Sequence, residues 1–439
     1  MTLAQLRNRT VNDFQSPALA VLACLFLRMS LLWAIHRDQD AYQLLFFPSS
    51  HEAWNVAWSM VLGNGFSSPL AGLHGPTAWV APLYPSLIAL GLKLSGNNGY
   101  VATLFCLSLN CLASALTCWP IYRIARKIAS HEVALASCWA WIFLPTAVIF
   151  PLSWLWDPSF SALFVAILID WTLDLPAASS SLPWLRYGAA WGIAALMNPA
   201  VGILFPFLLF WLVQRRLQGH LQWRPQVFSM VLLFGLCLLP WTARNYARFG
   251  KIVPIKDNFG LEFWLGNNPD VKRNWNTAHH PGSDLFEMQQ LLDLGEASYM
   301  ALKERQAIEF IQGHPGLFLK SALYRAVDTW TGFGDVPSDR WVNTLHAGTA
   351  YVWITSAVSI LAFGGLYLTW RFRGWEAAPI WISPILFPVT YYLTHTSLRY
   401  RHPIDPILTV LAVCALARIR SFIGGRNPLQ ATSNTLQTN

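Results

Sequence analysis

Ten stretches of this chain run for about the length of a bilayer-spanning helix with scarcely a charged residue in them. A hydrocarbon core about 30 Å thick needs roughly 20 apolar residues of helix. With no water there to satisfy backbone N–H and C=O groups, only helices and closed barrels can cross it. The runs fall at about 17–35, 100–121, 132–150, 153–172, 182–198, 199–214, 227–241, 343–370, 377–395 and 403–419. Composition agrees, because 54% of residues are hydrophobic and only 12% charged, against about 25% charged in a soluble domain. A water-soluble globule, a disordered chain, a coiled coil and a disulfide scaffold are excluded. The seven cysteines all sit in apolar runs without a CxxC and read as small core residues.

Lysine and arginine in short loops set the orientation of such a chain. Five basic clusters are expected in the cytoplasm: Arg7 and Arg9; Arg123, Arg126 and Lys127; Arg215, Arg216 and Arg224; Arg371 and Arg373; and Arg418, Arg420 and Arg426. The alternation closes only if the apolar stretch Pro82 to Ser95 does not cross, and at 14 residues it covers about 21 Å of helix. It is therefore read as a re-entrant or juxtamembrane helix. The expectation is an all-α polytopic membrane protein with about ten crossings and both termini inside. Its parts are a transmembrane module at 1–241 with a large first outer loop (36–81), an outer soluble insert at 242–340, further crossings at 341–425 and a disordered cytoplasmic tail at 426–439. The insert holds 23 charged residues in nearly balanced signs. From Glu296 to Tyr324 its apolar residues recur at helical spacing, interrupted at His314-Pro315, as in a pair of amphipathic helices lying on the membrane.

The first loop is dense in polar, turn and aromatic residues, as in His51-Glu52-Ala53-Trp54-Asn55, Gly63-Asn64-Gly65-Phe66-Ser67-Ser68-Pro69 and Pro82-Leu83-Tyr84-Pro85. Glu52 opens a helix-like stretch of mostly apolar residues. It is either a surface carboxylate or one turned into the protein, where desolvation raises its pKa toward that of a useful base. Asp38 and Asp40 lie nearer the first crossing and suit capping or solvating the loop. Asp157 precedes Pro158 at the end of a crossing, the position of an N-cap. Thr394-His395-Thr396-Ser397-Leu398-Arg399-Tyr400-Arg401-His402-Pro403 puts two arginines and two histidines on the outer side with almost no acid nearby. A phosphate would match the guanidinium fork; snorkelling to lipid headgroups is the alternative. Arg28, in the middle of the first crossing, needs a partner or water. HExxH, P-loop, GxGxxG and zinc-type spacings are absent from the sequence.

The order of Glu52-Ala-Trp-Asn-Val-Ala, Gly63-Asn-Gly-Phe-Ser-Ser-Pro, Gly75-Pro-Thr-Ala-Trp, Pro82-Leu-Tyr-Pro, Pro240-Trp-Thr-Ala-Arg-Asn-Tyr and Gly266-Asn-Asn resembles bacterial integral-membrane glycosyltransferases of the C-type fold. These are relatives of the protein O-mannosyltransferases and the lipid A aminoarabinose transferase, and the likeness spans roughly residues 15 to 420. It implies transfer of a sugar from a polyprenyl-phosphate carrier to an envelope lipid, glycan or protein, on the outer face of a bacterial inner membrane. Glu52 matches the base position and Asp157 the second acidic position. Asp38, Asp40, His51, Asn55, Tyr84, Arg244, Arg399, Arg401 and His402 become the candidate substrate contacts. Many relatives have Asp or Asp-Glu where this chain has His51-Glu52, and an acidic-Lys step where it has Val80-Ala81. A required cofactor is therefore not implied, and a divalent cation is left open.

The chemistry fits the residues independently. A sugar on a lipid phosphate already carries a good leaving group, so one carboxylate to take the acceptor proton and one cationic site for the departing phosphate suffice. Single displacement inverts the anomeric centre. A flippase of lipid-linked sugars would also want basic residues, but repeated halves and interrupted helices would be expected and no repeat is evident. An inactive assembly subunit would keep the same spans and insert.

Overall fold

The computed structural model describes residues 16–37, 52–274, 276–335 and 347–423. The loop residues Asp38, Asp40 and His51 and the expected tail at 426–439 lie outside them. Among the described residues the fold is all helix. In chain order the helices are α1 (Pro17–His36), α2 (Glu52–Val61), α3 (Leu83–Leu94), α4 (Gly99–Leu116), α5 (Cys118–Ile128), α6 (His131–Phe143), α7 (Pro145–Ser153), α8 (Pro158–Asp174), α9 (Ser181–Met197), α10 (Phe205–Gln218), α11 (Arg224–Phe249), α12 (Phe259–Gly266), α13 (Leu285–Leu294), α14 (Glu296–Gly313), α15 (Pro315–Thr331), α16 (Ala347–Arg373), α17 (Ala378–Leu386), α18 (Val389–Leu393), α19 (Leu398–Arg401) and α20 (Asp405–Ile423).

Local chemistry sets many of these ends. Ser16, Asn98 and Ser130 accept hydrogen bonds from Ala18, Val101 and Val133 N–H, capping α1, α4 and α6. The chain bends by 46° between α6 and α7, where Pro145 follows an extended Leu144.

Among the described residues seven helical segments are long and apolar enough to cross a membrane, and the bent α6–α7 pair makes an eighth. The expected ten differ at two places. Helix α9 is only 17 residues long and carries Arg186, and 350–393 forms one 44-residue segment although it turns at Gly374, where φ is +52°. Pro82–Ser95 forms the 12-residue α3, short of a span. Helix α11 runs on through Pro240 to Phe249, past the expected boundary at 241, and stops at Gly250 (φ +65°).

One large apolar cluster draws on α1, α5, α6, α8, α9, α10 and α20. Arg28 is buried beside it. Its Nη2 donates to the Trp141 carbonyl at 3.5 Å, and Cys24, Cys111 and Cys118 are the ionisable groups near it. A separate cluster joins the first loop to the insert, packing Val56, Phe66 and Trp79 against Leu261, Leu265, Leu291, Tyr299 and Met300. Helices α14 and α15 meet at a break at His314.

Candidate active site

The chain breaks between helices where the first loop, the 250–266 segment and the 394–401 segment converge. Trp154 is extended (φ −116°, ψ 113°) after α7, and Pro158 opens α8; between them Trp156 and Asp157 reach the wall of a cavity. Asn198 is extended (φ −149°, ψ 102°) because Pro199 follows it. Its amide nitrogen donates to Asp157 Oδ2 at 2.9 Å, and Ser161 Oγ donates to the same oxygen at 2.5 Å. The Asp157 side chain makes no cap hydrogen bond, so the capping role expected of it is not realised. Burial pushes its carboxyl above the usual range, against the lowering pull of Ser161 and Lys256.

Helix α12 lies hard against the 394–396 turn, since a Cβ at Gly266 would overlap the Thr394 carbonyl. That contact brings His395 Nε2 to 2.6 Å from Glu262 Oε2. Burial raises the Glu262 carboxyl, but the His395 hydrogen bond and charge, with Lys256 and His280 beyond, outweigh it and bring it down to about 2. Glu52, at the first turn of α2, is driven the other way: burial raises its carboxyl, and His280, at 3.8 Å, and Arg399 offset that only in part.

Two neighbouring cavities result. One, of about 340 Å³, has His395, Phe259, Ile203 and Tyr391 on its own walls. The other, of about 260 Å³, has Glu52, Trp79 and Tyr84. Trp156, Asp157, Asn198, Lys256, Glu262, Arg399 and Tyr400 line both. Arg399 stands over the rings of Trp154 (5.2 Å) and Tyr400 (4.6 Å) and donates to the Tyr400 hydroxyl at 2.6 Å. Neither Lys256 nor Arg399 has a carboxylate in ion-pair contact among the described residues.

Of the expected contacts, Glu52, Tyr84, Asp157 and Arg399 come together here. Tyr84 is steadied by the Asn110 amide, which donates to its hydroxyl at 3.0 Å. Four others do not join them. Residues two apart on a helix lie about 200° apart around its axis, so α19 turns Arg401 away from the cavity Arg399 lines. Arg401 and His402 are buried, each 3.0 Å from Asp405; the acid thought missing is four residues further on. Asn55 donates to the Pro69 carbonyl at 2.9 Å and braces the loop. Arg244, on the extended end of α11, lines a separate cleft.

Sequence reasoning passed over Lys256 and Glu262 and gave His395 no role. Glu262 had a signal, an acid within the apolar run Phe259-Gly260-Leu261-Glu262-Phe263-Trp264, the same feature that marked Glu52. Lys256 had none. Among the described residues no three His, Cys, Asp or Glu side chains converge as a metal-holding group.

The helical membrane fold around this cavity is the C-type fold of known membrane glycosyltransferases. Two solved structures share it with this chain. The archaeal oligosaccharyltransferase AglB from Archaeoglobus fulgidus, in complex with an inhibitory peptide and a dolichol-phosphate, superposes with a TM-score of 0.52 at 12% identity, over 92% of this chain and 51% of its own. ArnT from Cupriavidus metallidurans, bound to undecaprenyl phosphate, gives 0.50 at 16% identity, over 91% of this chain and 61% of its own. The chain thus spans about half to three fifths of these enzymes' length. No family model matches it, and no curated protein sequence does.

Proposed function

We propose that this protein transfers a sugar from a polyprenyl-phosphate-linked donor to an acceptor hydroxyl, on the non-cytoplasmic face of a bacterial inner membrane. The observation that carries this is the shared wall: a part-buried carboxylate of raised pKa, Glu52, stands on one cavity, and the cations Lys256 and Arg399 line the junction with the next. Glu52 takes the acceptor proton as the acceptor oxygen attacks the anomeric carbon. The bond from that carbon to the phosphate oxygen breaks, and its electron pair leaves on a phosphate held by Lys256 and Arg399. One displacement inverts the centre. Asp157 and Glu262 hold the positive end of an oxocarbenium-like transition state. The acceptor occupies the Glu52, Trp79 and Tyr84 cavity, and the carrier leaves past Ile203, Phe259 and Tyr391. That AglB and ArnT hold prenyl phosphates in the same fold supports the reading.

Mass spectrometry of envelope glycans and lipid-linked sugars, with and without the gene, tests it. Loss of one sugar modification together with accumulation of its lipid-linked donor is expected; unchanged glycans and donor pools overturn the assignment. The face is tested separately. In a cysteine-free background, cysteines at Gly72 and Ser283 should react with an impermeant thiol reagent in intact cells, while one at Gly219 should not.

A further inference from the structure

The cleft that holds Arg244 lies apart from the site above. It measures about 450 Å³, and its ionisable lining is Arg244, Arg248 and His74, without an acid among the described residues. Arg244 is locked in place. Its Nη1 and Nη2 donate to the carbonyls of Thr77 and Phe66, each at 2.6 Å, and its guanidinium lies 4.9 Å from the Trp241 ring and 5.5 Å from that of Phe66. Arg248, one turn on, is exposed and makes no ion pair among the described residues.

The facing wall is a hairpin of the first loop. Ser68 N–H donates to the Gly75 carbonyl and Thr77 N–H to that of Phe66. Gly65 and Gly75 have φ of +72° and +110° with nothing within 4 Å of where a Cβ would stand, which leaves backbone open to a ligand. The cleft sits at the end of the membrane-spanning α11, where Tyr246 and Ile252 are 57% and 76% exposed. Apolar side chains beside a cationic cleft at a helix end match the boundary between acyl chain and headgroup.

We infer that this cleft is a binding site for the phosphate ester of a net-anionic membrane lipid, held by Arg244, Arg248 and the glycine-rich hairpin. A pre-set guanidinium and a second, free one suit phosphate oxygens. A bilayer phospholipid and a phosphorylated glycolipid acceptor present the same group. The same loop continues into Trp79, Val80 and Ala81 of the Glu52 cavity. The inference does not rest on the transfer reaction; unchanged envelope glycans and donor pools without the gene would remove the proposed function and leave this site standing.

The test uses full-length protein in detergent with Arg399→Gln, which disables the proposed carrier site. Short-chain phosphatidylglycerol, short-chain phosphatidylcholine and inorganic phosphate are titrated separately while the thermal-unfolding midpoint is followed. Phosphatidylglycerol should raise the midpoint saturably and phosphatidylcholine should not. Arg248→Gln should weaken the apparent Kd about tenfold, the loss of one charge-assisted contact, with partial recovery in Arg248→Lys. Equal shifts with phosphatidylcholine, or an unchanged Kd in Arg248→Gln, overturn the site. Inorganic phosphate acting as strongly as the lipid overturns its assignment to a lipid. With the lipid class established, a phosphorylated glycolipid competing at lower concentration than phosphatidylglycerol identifies the acceptor as the occupant; no competition identifies the phospholipid.

Discussion

The two ends of the helical bundle treat charge in opposite ways. At one end Arg123 and Lys127 on α5 close on Asp170 and Asp174 of α8, in four ion pairs of 2.5 to 2.9 Å. Each of these four charges has its complement in direct contact. At the other end Glu52, Asp157, Lys256 and Arg399 face cavities instead of one another, and the closest ion contact any of them makes is Glu52 to His280 at 3.8 Å. Taking a charge out of water without a partner costs several kcal/mol. A fold that leaves two carboxylates and two cations around a void has room for a ligand to complete them, whereas the paired cluster has none.

The sharpest way to break this contrast is to neutralise one charge at each end. Glu52→Gln keeps size and hydrogen bonding but cannot accept a proton, so turnover should fall by about 10²–10⁴-fold with donor affinity near normal. Asp174→Asn should leave turnover of lipid-linked sugar at the wild-type rate, because Asp174 is half-exposed and such surface pairs contribute at most about 1 kcal/mol to stability. Wild-type rates in purified Glu52→Gln would reassign the base, and Asp40 of the same loop would be tested next.

The next largest effect separates two arginines. Arg399→Lys exchanges a planar fork for a point charge, and donor binding should weaken about tenfold with folding intact. Arg401→Lys should instead act on stability, since Arg401 is 1% exposed and closed on Asp405 and on Ser359 Oγ at 3.1 Å. Equal donor-binding losses in the two variants, with equal melting temperatures, would erase the distinction the structure draws between them.

These residues also show how far the sequence could be read. The apolar runs fixed the helical membrane class because a bilayer permits so few backbone solutions, and Glu52 stood out as an acid among apolar neighbours. What was illegible depends on rotation and on distant partners. Arg399 and Arg401 look alike until the one-turn helix α19 separates them by rotation, though an Arg401-to-Asp405 spacing of four was visible and went unused. Glu262 and His395 are 133 residues apart, and only the close approach at Gly266 joins them. Asp157 before Pro158 looked like a cap; the partners it takes instead, Ser161 and Asn198, come from its own helix and from the break after α9.

A smaller effect should appear in the pH profile. A base works only when deprotonated, so with Glu52 raised by burial, kcat/KM should climb with pH through a midpoint above the ordinary glutamate value of about 4.3. His280 lowers that midpoint from 3.8 Å away. His280→Gln should therefore shift the acid limb to higher pH while leaving the plateau rate in place, and a shift to lower pH would contradict the arrangement.

The smallest expected effect concerns the anchor between loop and insert. Glu296 accepts from Thr77 Oγ1 at 2.5 Å and from Ala78 N–H at 2.6 Å, beside Asp257, whose backbone N–H donates to the Ala78 carbonyl. Burial and the Asp257 charge raise the Glu296 carboxyl to about 8, and burial raises Asp257 as well. The folded state thus binds more protons than the unfolded chain between the ordinary glutamate value of about 4.3 and about 8. The sign follows from linkage: wherever the native state holds the extra proton, stability falls as pH rises. The melting temperature should decline as pH is taken from 6 to about 9, with the decline flattened in Glu296→Gln, which keeps an acceptor for Ala78 N–H but loses no proton. A mutant that melts with the wild-type pH slope would show that the loop and the insert are not joined through this proton.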